Sequence, residues 1–175
     1  MAQLVLTVVG DDRAGLVNAL AQAVSGAGGN WEQSELAELA GAFAGIVLVT
    51  VPDDRVDELT GALQSLDGLL RVTVHGGVGS TLASDEAGSD RPDTLSFTVL
   101  GNDRPGIVRD VTTAIAAHAL SIDAFRSRTL EAPMAGGTLF EASVSVSVPR
   151  GVDAEAITAA LEALAGEIPV DLTVG

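Results

Sequence analysis

Two short runs hold the residue types from which chemistry could be built. Asp11, Asp12 and Arg13 lie between Gly10 and Gly15, and the pattern returns as Asn102, Asp103 and Arg104 between Gly101 and Gly106. Each run follows an apolar segment and precedes residues at helical spacing, so it sits where a strand feeds a helix. A helix start exposes up to four unpaired N–H groups and about half a positive charge, which suits a small carboxylate or phosphate. A neighbouring aspartate can receive an ammonium group, so an α-amino acid matches both halves of the loop. The plainer reading makes Asp12 and Asp103 N-caps and puts Pro105 in the first helical turn. It leaves the glycines to a tight turn or a close backbone approach.

Other polar and aromatic residues divide between functional and structural readings. Arg13 and Arg104 could clamp a carboxylate through their forked guanidinium groups, or pair with surface acids. Trp31, the single tryptophan, follows Gly28 and Gly29. It could wall a ligand pocket, but packing in a core or an interface is the expected role. Arg126 and Arg128 share one strand face, where charges commonly guard an edge against pairing. His75 and His118 have no metal-ligand spacing, no serine-hydrolase elbow occurs, and the chain has no cysteine. No catalytic residue, cofactor or metal site is therefore expected.

The elements that must position these loops come from an internal repeat. LVLTVVGDDRAGLV (Leu4–Val17) aligns without gaps on LSFTVLGNDRPGIV (Leu95–Val108), and IVLVTVP (Ile46–Pro52) on SVSVSVP (Ser143–Pro149). Within each copy the apolar period alternates between two and about 3.6, giving β-α-β-β-α-β. The fold class is α+β: two ferredoxin-like units, each an antiparallel sheet with helices on one face. Residues 1–76 form the first domain, 77–93 a Gly/Ser/Asp-rich linker and 94–175 the second. The second helix of the second copy is expected around Ile157, Leu161 and Leu164. On the third strand of the second copy, Phe140, Ala142, Val144, Val146 and Val148 should face the helices, with Ser143, Ser145 and Ser147 outward. The first copy instead has Ala44, Ile46 and Leu48 outward. Either the other copy or a second chain packs there, or the strand is central and covered within its own domain.

Composition narrows the function. A net charge of −15 opposes contact with phosphate backbones and anionic lipid, so no direct nucleic-acid or membrane partner is expected. The apolar run Leu39–Val51 is too short to cross a bilayer. The chain begins without a signal-peptide pattern, and a cytoplasmic location is expected.

The recurring G-D-D-R-A-G and G-N-D-R-P-G, each set in a βαββαβ unit, resemble the ACT domain family of amino-acid-binding regulatory modules. A tandem of this length is similar to the glycine cleavage system transcriptional repressor group. The resemblance implies a ligand held between two paired domains, by the first loop of one and the start of the second strand of another. That implicates Gly10, Asp11, Asp12, Ala14 and Gly15 with Asn30 and Trp31. In the second copy it implicates Gly101, Asn102, Asp103, Pro105 and Gly106 with Ser121 and Ile122. Ala14 stands where the motif has proline, and Ser121 where the first copy has Asn30, so the two sites need not be equivalent. The function implied is a non-catalytic sensor of a small amino acid of the glycine or serine class. It would act as a homodimer through a protein partner, an enzyme or a transcription factor. The alternative is a regulatory subunit or interaction scaffold for a metabolic enzyme, with no small ligand.

Overall fold

A computed structural model describes residues 1–76, 93–118, 120–132, 136–148, 159 and 170–174. The chain divides into two compact units, Met1–Ala87 and Gly88–Gly175. The first contains β1 (Ala2–Asp11), α1 (Leu16–Gly26), β2 (Asn30–Leu39), β3 (Ala42–Val51), α2 (Val56–Gln64) and β4 (Arg71–Gly76). The second contains β5 (Asp93–Asn102), α3 (Ile107–Ala117), β6 (Ser121–Glu131), β7 (Thr138–Val148) and β8 (Val170–Val174). Of the linker expected at 77–93, residues 77–92 lie outside the described residues, as does the expected helix around Ile157, Leu161 and Leu164, and Asp93 is the first residue of β5.

Each sheet is antiparallel, in the orders β2-β3-β1-β4 and β6-β7-β5-β8. The ferredoxin-like arrangement read from the repeat is therefore present in both units. Leu16, Leu20 and Val24 recur along one side of α1 and are buried against Leu6, Val8, Val47 and Val49. Burying one such side chain contributes about 1.5–3 kcal/mol. In β7, Phe140, Ala142, Val144, Val146 and Val148 are buried while Ser143 is exposed, as the alternation requires. The β2–β3 hairpin closes through Ala40 and Gly41, both at positive φ (51° and 83°). Such a pair makes the tight turn whose twist matches that of its strands.

The outer face of the first sheet is open. Ile46 is 51% exposed and Val9 46%, which overturns the reading of a central strand covered on both sides within its own domain. The register sets Val5 opposite Leu48 and Val9 opposite Ala44 on that face. The same two positions in the second sheet hold Ser96 opposite Ser145 and Leu100 opposite Glu141.

Candidate functional site

The loop between β1 and α1 is a turn made by glycine, and its aspartate is not a helix cap. Gly15 (φ 94°, ψ −2°) and Gly106 (φ 87°, ψ −1°) are the residues at the N-cap positions, and neither helix has a side-chain cap. In the second copy Ile107 N donates to Arg104 O at 3.3 Å. With Pro105 second and left-handed Gly106 third, Arg104–Ile107 has the geometry of a type II turn. This corrects the expectation that Asp12 and Asp103 cap the helices and that Pro105 lies in the first helical turn. A D-R-[AP]-G string is a turn signature whose glycine supplies the left-handed residue, and the helix begins only after it. The aspartates act through their backbone: Asp12 N donates to Gly41 O and Asp103 N to Thr138 O, both at 2.8 Å. Each loop is thus pinned to the hairpin of its own sheet.

Gly10 is needed for a different reason. A Cβ there would stand 2.8 Å from Leu69 O and 3.1 Å from a Leu70 methyl, so the end of β1 presses against the α2–β4 turn. Arg13 ties the same turn down, donating to Gly68 O (2.8 Å) and Leu69 O (3.4 Å). Among the described contacts Arg13 bonds these carbonyls in place of the surface ion pair considered for it. Arg104 behaves differently, pairing with Asp110 at 2.8 Å. Arg128 binds Glu141 on the neighbouring strand at 2.7 Å. His75 lies 3.3 Å from Thr7 Oγ1, and His118 is the C-cap of α3.

Two of the clefts in the first domain bear on these residues. One, of about 390 Å³, lies between the loop and the α2–β4 turn and is lined by Gly10, Asp11, Arg13, Asp67 and Arg71 among others. The other, of about 380 Å³, lies between α1 and the start of β2, with Asn18, Gln22, Ser25, Asn30 and Trp31 in its wall. Of the residues singled out in the sequence, Gly10 and Asp11 line the first cleft and Asn30 and Trp31 the second, while Asp12, Ala14 and Gly15 line neither. Trp31 is partly buried and packs on the core while still reaching the second cleft.

The two helix starts differ in charge. In α1 the first helical bond runs from Ala19 N to Gly15 O at 2.9 Å, so Leu16, Val17 and Asn18 N–H precede the intrahelical ladder. No acid lies in its first turn. In α3 the first turn holds Asp110, which also bonds Arg109 at 3.1 Å. Arg104, and then Arg109, hold its carboxyl below the ordinary value of 3.8. The second helix start carries a carboxylate of its own.

One pair of residues escaped the sequence reading. β2 bulges between Trp31 and Gln33, and β6 between Ile122 and Ala124, so Glu32 and Asp123 are extra residues in their strands. Glu32 accepts from Asn30 Nδ2 (2.9 Å) and from Thr50 Oγ1 (2.8 Å), both on Oε1. Asn30's amide, and then Thr50's hydroxyl, keep the Glu32 carboxyl below its usual value of 4.5. In the second copy Ser147 donates to Asp123 at 2.7 Å. The available signal was the recurrence of an acid two places after Asn30 and after Ser121. A carboxylate mounted on a bulge has no sequence motif of its own.

The pattern of the ACT domain matches residues 2–76 and again residues 96–166. The glycine cleavage system transcriptional repressor of Escherichia coli (strain K12) is 27% identical over 165 residues, covering 94% of this chain and 85% of that protein. The protein of the same description from Shigella flexneri matches to the same extent. A solved protein of unknown function from Galdieria sulphuraria has a TM-score of 0.81 at 29% identity, covering 99% of this chain and 96% of that one. A structure described as a candidate glycine cleavage system transcriptional repressor has a TM-score of 0.73 at 19% identity, with coverages of 99% and 96%. That last likeness is one of fold. Among the described residues no group of three His, Cys, Asp or Glu is placed to hold a metal ion. No described helix is long and apolar enough to cross a membrane.

Proposed function

The chain belongs to the ACT-domain family, with two such domains in tandem, and from that premise we propose that it is a non-catalytic sensor of a small amino acid. The ligand, of the glycine or serine class, lies where the Gly10–Gly15 loop of one ACT unit meets the Asn30 end of β2 in another. Its binding shifts the packing of the pair and signals through a protein partner. A ligand controls packing only through unequal affinity for two arrangements. The similarity to a glycine cleavage system transcriptional repressor makes regulation of amino-acid metabolism the natural setting. A homodimer and a cytoplasmic location accompany this reading.

The observation that carries it is the chemical contrast between the mouth of β2 and the start of α1. At the mouth of β2, Asn30 spends its N–H on Glu32, so its Oδ1 and the second Glu32 oxygen remain as acceptors, and acceptors take an ammonium. The start of α1 presents N–H groups with no acid in its first turn, and donors take a carboxylate. Asn18, which carries one of those N–H groups, and Asn30 line the same cleft, while Gly10 and Asp11 of the loop line another. Asp110 gives the second helix start a carboxylate from the chain itself, so the first copy is the binding copy.

Isothermal titration of the whole chain with each of the twenty amino acids tests this. Glycine or serine is expected to give heat and a raised Tm. Glu32→Gln should weaken binding about tenfold, the loss of one charge-assisted hydrogen bond. No heat and no thermal shift with any amino acid would defeat the proposal and leave the scaffold reading, which the open apolar face of the first sheet favours.

A further inference from the structure

The cleft between the end of β1 and the α2–β4 turn carries both signs of charge on its wall and leaves them unpaired. Its charged residues are Asp11, Asp67, Arg13 and Arg71. Among the described residues the side chains of Asp11, Asp67 and Arg71 make no hydrogen bond or ion pair. Arg13 directs Nη2 to Gly68 O and Leu69 O, which fixes its guanidinium at the wall while Nε and Nη1 keep their donors. Two acids and two arginines cancel, in a chain whose net charge is −15. An acidic lining takes a cation and a basic one an anion, whereas a balanced, unpaired lining complements a molecule that carries both charges.

The second sheet keeps the framework without the charges. The register puts Asn102 beside Leu139 where Asp11 stands beside Ala42, and Asp171 beside Leu100 where Arg71 stands beside Val9. Arg104, the counterpart of Arg13, pairs with Asp110. The charge set of the first cleft is therefore not a requirement of the fold. We propose that this cleft binds a small zwitterion, a free amino acid, within a single domain. Arg71 and the open donors of Arg13 take the carboxylate, Asp11 or Asp67 takes the ammonium, and Val9, on the same wall, meets the side chain. The volume of about 390 Å³ lies within the roughly 300–1,000 Å³ of small-molecule sites. This ligand is distinct from the one at the mouth of β2. Asp67 and Arg71 come from the opposite side of the loop, no second unit completes the site, and it stands whether or not the interface binds.

Titration of the full, isotopically labelled chain with glycine, followed by NMR at the amides of Gly68 and Leu69 and the Nε–H of Arg71, tests the proposal. Saturable shifts are expected at these three groups. Acetate and methylamine, the two halves of glycine, should each bind at least about tenfold more weakly, the loss of one charge-assisted hydrogen bond. Arg71 and Asp67 are exposed, so Arg71→Gln and Asp67→Asn should keep the fold while each weakens glycine about tenfold. Asp57→Asn, which removes an acid from the first turn of α2 outside the cleft, should leave the titration unchanged. A ligand at the mouth of β2 moves Asn30 and Trp31 instead, so failure at either place is seen separately. Shifts at the turn that are absent or never saturate overturn the site. Equal binding of acetate reduces it to an anion site, and equal binding of methylamine to a cation site, and either overturns the zwitterion. A titration unchanged by both cleft variants, or weakened equally by Asp57→Asn, overturns the residues assigned.

Discussion

Replacing Asp12 and Gly15 one at a time separates a helix start held by a side-chain cap from one held by a left-handed residue. A capping aspartate changed to alanine costs about 1 kcal/mol. Asp12 makes no cap bond, and its anchoring contact is the backbone N–H to Gly41 O, which alanine keeps. Asp12→Ala should therefore stay within about 0.5 kcal/mol of wild type. Gly15 sits at φ 94°, with nothing within 4 Å of where a Cβ would go, so an alanine there meets no clash and only backbone strain. The left-handed conformation costs an L-residue about 1–2 kcal/mol. Lower freedom in the unfolded chain returns about 0.4–1 kcal/mol, for a net loss near 1 kcal/mol. For a domain of this size that lowers Tm by about 4–8 °C. The assay is urea unfolding followed by tryptophan fluorescence. Trp31 is the only tryptophan and the chain has no tyrosine, so the signal reports the first domain alone. Gly106→Ala should leave that signal unmoved and appear only in circular dichroism. A loss from Asp12→Ala equal to that from Gly15→Ala would refute the argument.

Further outcomes follow from the same contacts. Arg13→Ala removes the hydrogen bonds to Gly68 O and Leu69 O and should destabilise the first domain by about 1 kcal/mol, read by Trp31 fluorescence. Arg104→Ala, which breaks a half-buried pair with Asp110, should cost about 1 kcal/mol or less. Ala14→Pro places a fixed φ at the second position of the first turn, as Pro105 does in the other copy, and should raise stability by about 0.4–1 kcal/mol. Asp110 is held below 3.8, so its contribution is present above that pH and is lost as pH falls through its folded value. The stability gap between wild type and Asp110→Asn, measured by thermal melts, should therefore shrink as pH drops below 3.8 and stay flat near neutrality.

The fold was legible because its signals are periodic. Leu16, Leu20 and Val24 at helical spacing, the alternation from Phe140 to Val148, and the glycine at the β2–β3 turn each point to one local structure. The loop was located but misassigned, since an aspartate before a helical run fits a cap and a turn equally until the φ of Gly15 is known. Arg13 shows the same limit, because its partners are carbonyls 55 and 56 residues away that no local pattern names. Glu32 and Asp123 were missed because a bulge is a property of two strands in register, and one strand's sequence does not display it.

The bulge has a consequence for how the strand tolerates change in length. Residues two apart in a strand normally share a face, yet Trp31 pairs with buried Val49 while Gln33 pairs with outward Leu48. The extra residue reverses the phase of the strand between its cleft end and its body. Deleting Glu32 would therefore leave residues 33–39 on their present faces, whereas deleting any one residue further along would rotate part of β2 inside out. At that place β2 can lose a residue while the faces of the remaining strand keep their assignment.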